Sequence, residues 1–265
     1  MDTTLLKGLN VLEALIRSDR PRGISEFAAE LGLTKSNVHR VLQTLQAAGY
    51  VVQSESGSYT PTLKIWELGA KVYLKLDIPQ EARPFLLELA NLTRETVHLS
   101  VLDGADVVYL DKIDSPQPVR AYSTIGGRAP AHCVATGKAL LAFITDTAAR
   151  KETDDFPSFT PRTITSHEAF EASCADIRAK GYAVNWGEWR EQVRGVAAPV
   201  RDAYGLVVAA VGISGPSDRL TRNRIIEAAP HVVEAAGRIS KALGYRSEGK
   251  SRTAPEDEHE SPRIT

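Results

Sequence analysis

The sequence predicts an α+β protein built in two parts. Three observations carry that expectation. Over the first 62 residues, helical apolar spacing is punctuated by Gly32 and Gly49 and then gives way to two short β-like runs. From residue 78 onward, apolar runs pair across tight turns, at Asp103-Gly104 and at 202–205, as antiparallel hairpins do. Helices stand at the ends of those hairpins instead of alternating with single strands, which separates α+β from a doubly wound parallel sheet.

Each element has a local reason. Leu5, Leu9, Leu12, Leu15 and Ile16 share one helical face within 4–17, and the polar break at 18–23 ends it. Ser25 is placed to cap a short helix over 25–31, which Gly32 stops. Thr34 or Ser36 caps a third helix running to Ala48. The runs 50–53 and 58–61, joined through Gly57, read as a hairpin, and helical spacing returns over 63–76 through Leu63, Trp66, Leu68, Val72 and Leu76. A long helix over 78–95 is followed by strands at 97–102, 106–113 and about 118–124. Helices at 136–145 and 166–180, strands at 182–185, 194–200 and 206–213, and a closing helix at 221–243 complete the series. Pro230 should kink or divide that last helix. The expected domains are a winged helix-turn-helix at 1–62, a linker helix at 63–77, a second domain at 78–245, and a tail at 246–265 too poor in apolar residues to fold.

Composition narrows the classes. Lys and Arg number 32 against 33 Asp and Glu, and 43% of residues are hydrophobic, which excludes a polybasic coating protein. Residues 1–75 hold nine basic and seven acidic side chains, a mild excess of +2 at the end where a helix-turn-helix is expected. No uncharged apolar run reaches the roughly 18 residues of a membrane span, and the N-terminus lacks a signal-peptide pattern. Cys133 and Cys174 are too few for a disulfide framework or a four-cysteine zinc site, so a cytoplasmic location with reduced thiols is expected.

The window 24–43 has the steric signature of a helix-turn-helix. Two helices crossing at a steep angle need a small residue at their contact, and Ala28 supplies it. The turn needs a residue tolerant of positive φ, and Gly32 is one. Phe27, Leu31, Leu33, Val38 and Val41 close a core beneath both helices. What remains outward is Thr34, Lys35, Ser36, Asn37, His39, Arg40, Gln43 and Thr44, groups of the right size for base edges and phosphates in a major groove. Arg40 is the candidate for guanine or phosphate, Lys35 for phosphate, and Ser36 and Asn37 for either. His39 is equally a candidate for packing on the wing, and Tyr59 for touching the DNA backbone or for packing.

The segment TKSNVHRVLQTLQAAGYVVQSESGSYTPTLKIWELG resembles the winged-helix domain of the IclR family of bacterial transcription regulators. The resemblance continues through ETVHLSVLDGADVVYLDKIDSPQPVRAYSTIGGRAPAHCVATGKALLAF, IRAKGYAVN and GVAAPVRDAYGLVVAAVGISGPSDRLT, so it spans about residues 4–244. It implies a GAF-like α+β effector-binding domain, homodimers that often pair into dimers of dimers, a double-stranded DNA operator with two-fold symmetry, and control by a small organic effector. It also implies that Ala135, Thr136, Asn185, Gly195, Gly212 and Ser214 line a pocket for small carboxylates. Backbone N–H groups at the start of the helix after Ala135-Thr136-Gly137 suit a carboxylate independently. The chain departs from the family pattern, with Asn185 where Asp is common, Gly195 where Cys is, and Gly212 where Ser is. Two glycines should enlarge the cavity, and Trp186 and Trp189 would supply aromatic walls or pack in the core, which makes a bulkier, aromatic acid a candidate effector. Arg190 and Arg194 flank the same region and would suit a carboxylate or plain surface charge.

Competing chemistries are weaker. His132-Cys133 before a helix evokes an activated thiol, and His98, His132, Cys133 and Cys174 a zinc site, but neither spacing fits a known closed arrangement. The expectation is a non-enzymatic, cofactor-free regulator, repressor or activator, with no membrane partner. The alternative is a sensor that acts through protein partners without binding an operator.

Overall fold

The computed structural model describes residues 3–73, 77–143 and 156–246. The chain divides into two compact units, Met1–Asp77 and Ile78–Thr265.

The first unit holds helices α1 (Thr3–Ile16), α2 (Ile24–Leu31) and α3 (Lys35–Ala47), a two-stranded wing of β1 (Val51–Gln53) and β2 (Tyr59–Pro61), and α4 (Leu63–Tyr73). Val11, Leu15, Phe27, Ala28, Val38, Leu42, Val51 and Tyr59 form its core. Gly32 has φ 63° and caps α2, as the turn requires. The N-cap of α2 is Gly23, not Ser25: the Glu26 carboxylate accepts the Gly23 N–H at 2.9 Å and does the capping itself. Thr34 caps α3 by accepting the Asn37 N–H at 3.3 Å. The start of α4 is tied back to the end of α3: Thr62 Oγ1 donates to Gly49 O, and Lys64 Nζ donates to Ala48 O, both at 2.6 Å. Residues 74–76 of the expected linker helix lie outside the described residues.

The second unit is a six-stranded antiparallel sheet between two layers of helix. In chain order it has α5 (Asp77–Thr93), β3 (Thr96–Asp103), β4 (Asp106–Ile113), β5 (Arg128–Pro130), α6 (Ala135–Leu141), α7 (His167–Lys180), β6 (Ala183–Asn185), β7 (Val193–Arg201), β8 (Val207–Pro216) and α8 (Arg222–Ala242). The strand order is β5-β4-β3-β8-β7-β6. Period-two alternation divides the strands between two cores. Val196, Ala198, Val211 and Ile213 face α5 and α8, whereas Ala197 and Ala210 face α6 and α7.

Two expectations change here. Residues 118–124 form no strand, and the edge position is taken by β5. Pro116 and Pro118 remove ladder donors just where that strand would begin, and Val119, Tyr122 and Ile125 point outward. Pro230 does not divide α8, which runs unbroken because Ala229, Val232, Ala236 and Ile239 bury one face against the sheet. Residues 144–145 of the helix expected at 136–145, and 247–265 of the tail expected at 246–265, lie outside the described residues.

Candidate nucleic-acid interface and effector cleft

The outward face of α3 carries Lys35, Ser36, His39, Arg40, Gln43 and Thr44 exposed, with Asn37 half-buried. Val38 and Leu42, on the opposite face, are fully buried and hold the helix against α1 and α2. Thr34 and Ser36 share a hydroxyl contact of 3.1 Å at the helix start, and the Thr44 hydroxyl donates to Arg40 O at 3.0 Å. Tyr59 is not part of this face. Its ring is 1% exposed in the unit's core, and its backbone pairs with Arg22, so the DNA contact considered for it is overturned in favour of packing.

In the second unit a cleft opens on the α6 face of the sheet. Ala135, Thr136, Asn185, Gly195, Gly212 and Ser214 all line it, joined by His98, Tyr109, Ser123, Val193, Trp189 and Arg190. Sheet register explains the convergence: His98 pairs with Gly212, Gly212 with Ala197, and Gly195 with both Ser214 and Asn185. Two expected members are elsewhere. Gly137 packs on the turn before α6, where a Cβ would stand 2.2 Å from Ala131 O. Trp186 packs with the α5–α8 core, under the Arg194 guanidinium at 5.7 Å, while Trp189 takes the cleft.

The glycines do not enlarge the cavity. A Cβ at Gly195 would sit 2.6 Å from Ile213 O, and one at Gly212 would sit 2.6 Å from Val196 O, so neighbouring backbone has closed in. The free space is about 50 Å³, room for a few water-sized groups. Asn185 contributes a turn more than a contact: its Oδ1 accepts the Gly187 and Glu188 N–H groups at 2.8 and 3.0 Å.

A buried ion pair braces the two walls. Lys138 Nζ on α6 lies 2.6 Å from Glu188 Oε1, with both side chains about 5% exposed or less. The second Glu188 oxygen accepts the Trp186 N–H at 2.5 Å, and the Thr163 hydroxyl donates to Glu188 O at 2.6 Å. Burial, with Glu188 adding to it, pushes the Cys133 thiol up to about 12, so it stays protonated and unreactive at neutral pH. Among the described residues no group of three or more His, Cys, Asp or Glu side chains is arranged to hold a metal.

His98 is a cleft residue that the sequence raised only in a disfavoured zinc constellation. Its Nε2 lies 2.7 Å from the Ser123 hydroxyl and its ring 4.8 Å from that of Tyr109. The alternation of Thr96, His98 and Ser100 with Val97 and Leu99 along β3 was the available signal, since it puts His98 on the α6 face. Burial, reinforced by Lys112, lowers its pKa to about 4, so it is neutral at pH 7. The unfolded chain therefore takes up this proton first as pH falls below about 6.5, and the second unit loses stability progressively down to about pH 4. Urea midpoints measured across that window are expected to fall less steeply for His98→Gln than for the natural chain.

A winged helix-turn-helix with an exposed polar face on its second helix, in one chain with a cleft-bearing antiparallel sheet, defines a DNA-binding transcription regulator. Comparison with known proteins agrees: residues 4–55 match the IclR helix-turn-helix domain, and residues 70–241 match the bacterial transcriptional regulator IclR C-terminal family. The chain belongs to the IclR family of transcriptional regulators. It is 39% identical to the HTH-type transcriptional regulator KdgR of Escherichia coli over 246 residues, covering 92% of this chain and 93% of that one. Among solved structures, the Thermotoga maritima IclR superposes with a TM-score of 0.76 at 31% identity, covering 92% of this chain and all of that one. An IclR homologue from Microbacterium hydrocarbonoxydans, complexed with 4-hydroxybenzoate, superposes with a TM-score of 0.78 at 26% identity, covering 91% and 99%. These relatives are regulators, not enzymes. No described helix is long and apolar enough to cross a membrane.

Proposed function

We propose that the chain reads a two-fold symmetric operator with α3 of paired protomers and releases or engages it in response to a small carboxylate bound in the cleft of the second unit. The exposed polar face of α3 carries the reading: Arg40, Lys35, Ser36 and Gln43 stand clear of the core on a helix whose other face is buried. Thr34, Asn37, His39 and Thr44 complete the surface presented to the groove. Pairing is supported by exposed apolar side chains on two helices of the same unit, Leu5 and Leu9 on α1 and Leu63 and Trp66 on α4, which two copies would bury together.

A carboxylate is supported by the lining itself, which includes a guanidinium and no Asp or Glu among the described residues. The 4-hydroxybenzoate held by the Microbacterium homologue is an acid of this kind. The small free volume suits a compact acid, and the cleft's open side and the Trp189 ring leave a place for an aromatic one. The effector acts by binding two arrangements of the dimer unequally, since a ligand with equal affinity for both shifts neither.

The test is a gel-shift titration with DNA from upstream of the chain's own gene. Arg40→Ala is expected to weaken binding roughly tenfold or more. Wild-type affinity that ignores salt and sequence would instead support a sensor working through protein partners.

A further inference from the structure

We propose that Arg190 is the residue that grips the acid group of the effector, and that the other cations near the cleft are structurally excluded from that task. The proposal rests on the carboxylate reading above and assigns it to one side chain.

The cleft holds one Lys or Arg among its described lining residues, and it is Arg190. Its guanidinium lies over the Trp189 ring at 4.5 Å from the centroid, and Trp189 lines the same cleft. Stacking occupies the face of the guanidinium and leaves its N–H edges directed outward, which is the geometry for a bidentate carboxylate. Among the described residues no carboxylate pairs with Arg190, and its side chain stands exposed at the rim.

The competing cations are engaged elsewhere, beginning with Lys112, whose Nζ donates to Ser123 O at 2.7 Å and pairs with Asp114 at 2.9 Å. Lys138 follows Thr136 on α6 by two residues, but its charge is neutralised by Glu188 at 2.6 Å in the interior. Drawing it away would strand a buried carboxylate, at a cost no single ligand contact would offset. Arg194 lies between the cleft residues Val193 and Gly195 on β7, so alternation turns it to the opposite face, where it stacks on Trp186. His98 is neutral and hydrogen-bonds Ser123, so it reads polar substituents and not charge.

The turn that presents Arg190 is rigid. Asn185 Oδ1 and Glu188 Oε2 hold its backbone N–H groups, and Gly187 adopts φ 100°, with no space for a Cβ beside Glu191 O. The braced backbone and the stack on Trp189 together narrow the positions open to the guanidinium, which lowers the entropy lost on binding.

Calorimetric titration of the full chain tests this with two matched pairs, lactate with lactamide and 4-hydroxybenzoate with 4-hydroxybenzamide. At least one acid is expected to bind, with its amide about tenfold weaker or more. Arg190→Gln should weaken that acid by about tenfold and abolish the preference over the amide, Arg190→Lys should restore part of it, and Arg194→Gln should leave both unchanged. Arg190→Gln that keeps the acid within twofold and preserves the preference overturns the assignment while the carboxylate reading stands. An Arg194→Gln variant that loses the preference also overturns it. Wild-type chain that binds neither acid, or binds amide and acid alike, overturns the carboxylate reading and this assignment with it.

Discussion

Glu188→Ala is expected to destabilise the second unit by about 3–5 kcal/mol, because it leaves the Lys138 ammonium buried without a counter-charge. The loss extends beyond the pair. The Trp186 N–H loses its acceptor, and the turn that carries Trp189 and Arg190 loses its tie to α6. Reduced melting temperature of the second unit, together with loss of effector binding, is the expected result. The double variant Lys138→Met/Glu188→Leu separates the two causes. Removing both charges leaves no buried charge unpaired, only the part-buried Trp186 N–H without its acceptor, so stability should return to within about 1–2 kcal/mol of the natural chain. If Glu188→Ala alone leaves the melting curve unchanged, the pair is not the brace described.

Phe27→Ala is expected to unfold the first unit outright. The ring is fully buried at the centre of the core and meets the Arg22 guanidinium at 4.6 Å. Truncating such a ring costs about 3–5 kcal/mol, of the order of the whole stability of a domain this small. Operator binding should vanish while calorimetric binding of an acid to the second unit persists. Circular dichroism should show loss of helix confined to a fraction of the signal, with the remaining transition unmoved. Unchanged operator affinity would mean that α2 is not needed to hold α3, contrary to the packing seen.

Much of the first unit was legible because its determinants are local. Gly32 for the turn, Ala28 for the helix contact and Thr34 for the cap each act within a few residues, so a one-dimensional pattern carries them. Ser25 is not the cap because α2 begins one residue before it, at Ile24, with Glu26 reaching back to accept the N–H of the capping residue Gly23. Tyr59 was ambiguous because a three-residue strand offers too little alternation to assign a face, and its burial depends on Phe27 and Leu42 from distant segments. The strand expected at 118–124 reflects β-prone residues whose pairing the prolines at 116 and 118 block.

The cleft was legible only in part. Its backbone positions, at Ala135, Thr136, Asn185, Gly195, Gly212 and Ser214, follow from the family pattern. Which charges are free there does not. Lys138 and Glu188 are fifty residues apart, and nothing in either neighbourhood announces that they neutralise each other. Gly195 and Gly212 read as missing side chains, yet the strands had already moved into that space.

The sequence by itself determined two domains of different character, a helix-turn-helix with its reading face, and a sheet domain built from antiparallel hairpins. Those depend on spacing along the chain, and periodicity records spacing. Only the tertiary structure decided which tryptophan faces the cleft, which cation is left to meet an anion, and how little room a ligand has. Those depend on burial and on partners across the sheet, because a charge is available to a ligand only when no other part of the fold has already neutralised it.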